Sequence, residues 1–326
     1  MSDVSYVSHS RGRFSTLDLV LYWKEEHNAM GHDQLFKEFL HTFMQEFMQI
    51  FYPEVARHLK FETIEFLSTE LFTDFPEGAV REVDVVGRLE TRTGSPELIL
   101  IHIEIQARPE ANFGARMFQY YALLGHRFQL PIFPVVVHIR GGPGGRTEEI
   151  HRVSLFDQEQ LVFRYHNVGL AHLDAREYLQ DGHPVAAALA ALMKRGSSEP
   201  ATLRARMMRE VAEGSLDEAG RFLLVNLIET YFELSAHQSK RYEQLLSRKE
   251  FQTVQDVEMT WADKMIEKGR QTGLVEGKRD VLLRHLEAKF GPLPAETTAH
   301  LRALDSAADR LLDRLLTAST LEDLGI

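Results

Sequence analysis

The chain has 326 residues, 44% of them hydrophobic, and a formal net charge of −11. That length admits one large domain or two ordinary ones around a real core, and the acidic balance excludes a protein that coats nucleic acid through bulk positive potential. With no cysteine in the sequence, disulfides, thiolate zinc sites and cysteine nucleophiles are excluded, which leaves carboxylate, imidazole and hydroxyl chemistry.

The first residues, MSDVSYVSHSRGRF, lack the apolar core of a secretory signal, and no later stretch approaches 18 uninterrupted apolar residues. A cytoplasmic protein that does not enter a membrane is the expectation. From Asp33 to Phe51, the residues Leu35, Phe36, Phe39, Leu40, Phe43, Met44, Phe47, Met48 and Phe51 recur at three- and four-residue steps. This is the stripe of an amphipathic helix, with Asp33 as its cap and Pro53 beyond its end.

From Ala79 the period changes to two. Arg81-Glu82-Val83-Asp84-Val85-Val86 and Leu98-Ile99-Leu100-Ile101-His102-Ile103-Glu104-Ile105-Gln106 read as two strands joined through Thr91-Arg92-Thr93-Gly94-Ser95-Pro96. A helix follows over Asn112 to Phe128 with Met117, Tyr120, Tyr121 and Leu124 turned inward, then a strand over Ile132 to Ile139 closed by Gly141-Gly142-Pro143-Gly144-Gly145. Leu161 to Val168 reads as one more strand, and from Pro184 onward the pattern is helical. The window from Ala79 to Tyr165 is rich in arginine, but its acids equal the arginines in number.

Gly269, Gly273 and Gly277 lie four apart among charged residues. They read equally as a helix-packing face and as a hinge, since each glycine costs a helix about 1 kcal/mol. A short helix is expected over Asp280 to Phe290, stopped by Gly291-Pro292-Leu293-Pro294, then two more helical stretches with contacts from Leu311, Leu312, Leu315, Leu316 and Leu321. The organisation expected is an extension over 1–29, an α/β domain over 30–180, a helical region over 181–265 and a small helical C-terminal domain over 266–326.

The chemistry concentrates on the strand pair. A turn centred on Gly94 sets Asp84 opposite Glu104 in an antiparallel register, and opposed residues share a face. Gln106 and His102 join that face, while Ile99, Ile101, Ile103 and Ile105 point to the other, so one face is expected to be apolar and covered. Two opposed carboxylates repel and call for positive charge, which a magnesium ion supplies through oxygen ligands. Spacing alone leaves a second reading open, in which Asp84 and Glu104 are solvated charges paired with arginines such as Arg88 or Arg108. His102 is readable as a third ligand or a base, or as a hydrogen-bonded support.

The stretches His32-Asp33-Gln34-Leu35-Phe36-Lys37, Arg81-Glu82-Val83-Asp84 and Ile103-Glu104-Ile105-Gln106 resemble, in that order, the recombination-promoting nuclease (Rpn)/putative transposase family of the PD-(D/E)XK nuclease superfamily. The resemblance covers roughly residues 30 to 150. It implies an α/β fold with an αβββαβ core and a mixed sheet, followed by an α-helical C-terminal region. It further implies a magnesium- or manganese-dependent DNA endonuclease, with Asp84 and Glu104 as metal ligands and the Ile105 carbonyl as a further one. Gln106 stands where the superfamily usually has lysine, as is similar in the Rpn-like group; an amide hydrogen-bonds but carries no charge. Lys37, or Arg81, is then the candidate for the missing charge, and Asp33 or Glu38 for an acid on the first helix.

The C-terminal stretch from Ile266-Glu267-Lys268-Gly269 to Leu321-Glu322-Asp323-Leu324 resembles a small helical domain of unknown function often found behind this core, for which helix pairing in a homo-oligomer is a reasonable role. Three functions follow as alternatives. One is the endonuclease, the second a nuclease-fold DNA-binding or scaffold protein without turnover acting through its helical tail. The third, a DDE transposase of the ribonuclease-H type, wants a third acid well downstream on another topology and fits the two acids of one hairpin less well.

Overall fold

The computed structural model describes residues 32–67, 83–93, 96–107, 110, 112–180 and 182–294, with 297–298, 301, 311, 320 and 323 beyond them; side-chain surroundings are described for fewer residues, 32, 33 and 268–278 being excepted. Residues Asn28–Glu258 form one compact unit, and residues from Met259 onward belong to a second. The elements of the first unit begin with helix α1 (His32–Phe51) and the single turn α2 (Pro53–Ala56). Strands β1 (Leu59–Phe66), β2 (Val85–Thr91) and β3 (Leu98–Gln106) follow, then helix α3 (Phe113–Phe128) and strands β4 (Ile132–His138), β5 (Gly145–Leu155) and β6 (Gln158–Gly169). All six strands lie in one sheet in the order β1-β2-β3-β4-β6-β5. The β3–β4 and β4–β6 pairs are parallel and the others antiparallel, so the fold is α/β with a mixed sheet.

Helix α1 buries the apolar stripe read from the sequence: Phe36, Phe39, Leu40, Phe43, Met44, Phe47, Met48 and Phe51 are all inside. The stripe is wide because the helix packs on β2 and β3 and also against two later helices, α5 (Pro184–Leu189) and α7 (Glu218–Tyr231). It starts at His32, one residue before the expected cap. It is kinked at Phe43 (φ −122°, ψ 33°), where the Thr42 hydroxyl donates to the Glu38 carbonyl at 2.9 Å and competes with the helical ladder. Gly220 of α7 lies against the kink, since a Cβ there would meet the Phe43 ring at 3.1 Å.

Two strands escaped the periodicity. β1 alternates only as far as Glu62, and a register shift between Lys60 and Glu65 breaks the pattern. β5 is exposed along most of its length, so it carries no two-sided apolar signal; the glycine-rich stretch read as a terminator is the turn that leads into it. That turn folds tightly over the ends of β4 and β6. Gly142 has φ +80°, and a Cβ there would lie 2.4 Å from Cγ of His138, while one on Gly169 would lie 1.9 Å from the Pro143 carbonyl oxygen.

Helix α3 covers one face of the sheet through Met117, Tyr120 and Leu124, packed on Val83, Val86 and Leu100 and on Val136, Phe163 and Tyr165. The cover expected on the apolar face of β3 is joined by cover on the other. Every residue from Leu100 to Gln106 is buried, His102 and Glu104 included, because β3 is a central strand with cover on both sides.

The first unit continues through α4 (Ala175–Tyr178), α5, α6 (Pro200–Glu213), α7 and α8 (Ala236–Leu246). Helix α9 (Gln252–Phe290) is continuous over 39 residues. The glycines at 269, 273 and 277 thus sit inside a helix rather than at a hinge, and Asp280 to Phe290 is its last part rather than a separate element. Their cost is a weak preference, outweighed by the many good helix formers around them. The helix stops at Gly291, whose φ is +84°. The contacts expected from Leu312, Leu315, Leu316 and Leu321 lie outside the described residues, as do Arg81 and Arg108; Leu311 is buried. No helix among the described residues is long and apolar enough to cross a membrane.

Candidate functional site

β2 and β3 pair without interruption from Glu90↔Leu98 to Val85↔Ile103, which is the register that a turn centred on Gly94 predicts. One further step sets Asp84 against Glu104. The contact is made: the Asp84 backbone N–H donates to Glu104 Oε1 at 3.1 Å, and the Ile105 N–H donates to Asp84 Oδ2 at 2.7 Å. Each acid is anchored by the other strand's end, so both carboxylates are held in place by the ladder that brings them together.

The positive charge comes from α1. Lys37 Nζ lies 2.9 Å from Asp84 Oδ1, with the lysine side chain 25% and the aspartate side chain 19% exposed. This identifies Asp84's partner as Lys37. Arg88, the alternative read from the sequence, pairs instead with Glu65 on β1. Of the two acids expected on the same helix, Glu38 is exposed and takes a hydrogen bond from Gln34, and the side-chain surroundings of Asp33 are not described.

Glu104 is oriented by His102. Nε2 of His102 lies 2.9 Å from Glu104 Oε1, with the imidazole wholly buried and its ring edge-on to Tyr120 at 5.8 Å. A carboxylate only accepts, so the proton of a neutral His102 sits on Nε2. Nδ1, buried, has no partner among the described residues. Of the roles open to His102, the geometry gives it that of support. Gln106, also buried, turns its amide back onto its own chain: Nε2 donates to the Ile105 carbonyl at 3.1 Å.

Two groups beside the site were not singled out in the sequence. β4 runs parallel to β3 and sets His138 level with Gln106 and Val136 level with Glu104, while Asn167 of β6 lies level with Val136. His138 Nε2 lies 3.0 Å from Asn167 Oδ1, and burial pushes the imidazole below its ordinary range although the Asn167 bond and Glu149 oppose this. The neutral ring therefore donates from Nε2, leaving Nδ1 as a buried acceptor under Gly142. Only the parallel register makes His138 a neighbour of Gln106 and brings Asn167 to His138 from the next strand; they are more than 30 and 60 positions from Gln106 in sequence.

The donor set is one of hard oxygens: the carboxylates of Asp84 and Glu104 and the Ile105 carbonyl, which already accepts from Gln106. Such oxygens suit magnesium, which retains several waters and takes only one or two carboxylates from protein. Among the described residues, no group of three or more His, Asp or Glu side chains is placed to hold a metal, so a cation here would rest on the two carboxylates, the carbonyl and water. No protein-family model, curated protein or solved structure matches this chain.

Proposed function

We propose that the protein is a magnesium-dependent endodeoxyribonuclease of the PD-(D/E)XK superfamily, of the Rpn type. The observation that carries this reading is the juxtaposition of Asp84 and Glu104 at the ends of β2 and β3, with the Lys37 ammonium 2.9 Å from Asp84. The order of elements from α1 to β4, leaving aside the single turn α2, is α-β-β-β-α-β, the order that the resemblance implies. It supports the reading independently of the three short motifs.

Asp84, Glu104 and the Ile105 carbonyl would hold the cation. When bound, magnesium supplies an acidified water and neutralises charge on the scissile phosphate. The chain's own residues do the rest. Ile105 N–H and Lys37 fix the Asp84 carboxylate; His102 and the Asp84 N–H fix that of Glu104. The Lys37 ammonium is the one cation seated at the carboxylates among the described contacts, and being partly exposed it is placed to face an incoming phosphate. Gln106 secures the Ile105 carbonyl by hydrogen bonding and contributes no charge.

A second reading, a nuclease-fold DNA-binding or scaffold protein without turnover, is favoured by one observation: each acid of the site is already engaged by donors of the same chain. Plasmid cleavage with magnesium, comparing the wild type with Asp84→Ala and Glu104→Ala, separates the two. Cleavage by the wild type, reduced at least about a hundredfold in each variant, supports the nuclease. Equal activity in all three removes Asp84 and Glu104 from the reaction. Wild-type inactivity with magnesium and with manganese favours the scaffold.

A further inference from the structure

β5 is the last strand of the sheet, and among the described residues β6 is its sole strand partner. It is 11 residues long, and most of its residues are exposed. A free edge of this length presents a row of unpaired N–H and C=O groups that templates pairing with another strand. Large apolar side chains stand along the same ribbon: Ile150, Val153 and Leu155 on β5 and Val162 on β6 are all exposed.

The sequence of β5 is self-complementary about Ile150. In an antiparallel pair of two β5 strands with Ile150 on the two-fold axis, Glu148 meets Arg152, Glu149 meets His151, Thr147 meets Val153 and Ile150 meets its own copy. Each contact off the axis then occurs twice and the Ile150 pair once on the axis, as a closed two-fold interface requires. Centring the pair on Glu149 instead would set Glu149 against Glu149 and Arg146 against Arg152, and like charges directly opposite are unfavourable. Arg152 and Glu148 are already held along the ribbon by Glu159 and Arg164, so each copy presents ordered charges. Arg152 pairs with Val162 in the ladder, which places Val162 on the face of Ile150 and extends the exposed apolar surface of that face from the seam onto β6. Phosphate is the wrong partner: the ribbon from Gly145 to Gly169 carries Glu148, Glu149, Asp157 and Glu159 against Arg146, Arg152 and Arg164.

We infer that the free edge of β5 is the seam of a two-fold homodimer in which the β5 strands of two chains pair antiparallel about Ile150 and join their sheets. The inference does not depend on the nuclease reading.

The absence of cysteine from the chain gives a clean test. In the full chain, Ile150→Cys places the two introduced thiols opposite each other, within the Cα separation a disulfide tolerates. Val153→Cys places its thiols six residues apart along the seam, roughly 20 Å, beyond that reach. Under mild oxidation the first variant is expected to form a covalent dimer and the second to remain uncrosslinked, while sedimentation shows the wild type as a dimer and Ile150→Lys as a folded monomer. A wild type that is monomeric at every concentration overturns the inference. So does equal crosslinking, or none, in the two cysteine variants, or a dimer untouched by Ile150→Lys.

Discussion

Two places in the first unit bring two carboxylates together with one fixed cation, and they handle the charge in opposite ways. At the sheet, Asp84 and Glu104 meet Lys37, and both partners of the ion pair retain exposure. Among the helices, Glu229 of α7 and Glu258 of α9 meet Arg204 of α6, which pairs with Glu229, reaches the Phe232 carbonyl at 3.3 Å and lies over the Tyr242 ring at 4.9 Å. Tyr242 of α8 donates to Glu258 at 2.5 Å. Arg204 and Glu229 are buried and Glu258 is half-buried, so the cation of this second cluster is the more enclosed of the two. The contrast lies in the cation: Lys37 stays within reach of solvent beside its carboxylate, whereas Arg204 is enclosed among helices and joins them.

The sharpest way to break the comparison is to remove each cation. Arg204→Met leaves Glu229 buried without its partner and takes the cation from the Tyr242 ring, and is expected to lower unfolding stability by about 3–5 kcal/mol in urea titration. A loss below about 1 kcal/mol would show that Arg204 is not enclosed in solution.

Next in size is a pH effect. Burial, then the nearby Glu229, pushes the Glu258 carboxyl up to about 7 from its ordinary 4.5, against the Tyr242 bond and Arg204. The folded state thus holds this proton more tightly than the unfolded chain. Its contribution to stability is full below about pH 4.5, falls as pH rises towards 7 and is flat above, roughly 3 kcal/mol across that window. Glu258→Gln retains an acceptor for Tyr242 and is expected to remove this slope from the wild-type-minus-variant difference. A difference that is constant between pH 5 and 7 would contradict the assignment.

The smallest effect is expected at the sheet. Lys37→Met removes a partly exposed pair while Asp84 keeps the Ile105 N–H and water, so the stability change should stay below about 1 kcal/mol. Nuclease activity, on the proposed reading, should fall far more than stability. A stability loss matching that of Arg204→Met would make Lys37 structural and would erase the distinction between the two clusters.

Much of the candidate site was legible in the sequence because it depends on one local quantity. The distance of Asp84 and Glu104 from Gly94 sets their register, and a two-strand ladder carries it without outside help. The stripe of α1 and the inward face of α3 were legible for the same reason, being periodic in a single element. β1 was hidden by its bulge, β5 by exposure along most of its length, and the continuity of α9 by glycines whose weak preference was overruled.

By itself, the sequence determined which residues alternate, which recur on a helical face and which two acids oppose each other. Tertiary structure alone decided three further matters: that Lys37 rather than Arg88 neutralises Asp84, that His102 is buried beneath α3 as the support of Glu104, and that His138, bonded to Asn167, lies beside Gln106. These are contacts between elements far apart in the chain. Nothing in local periodicity encodes them, because they arise from how the helix and the parallel strands pack on the hairpin.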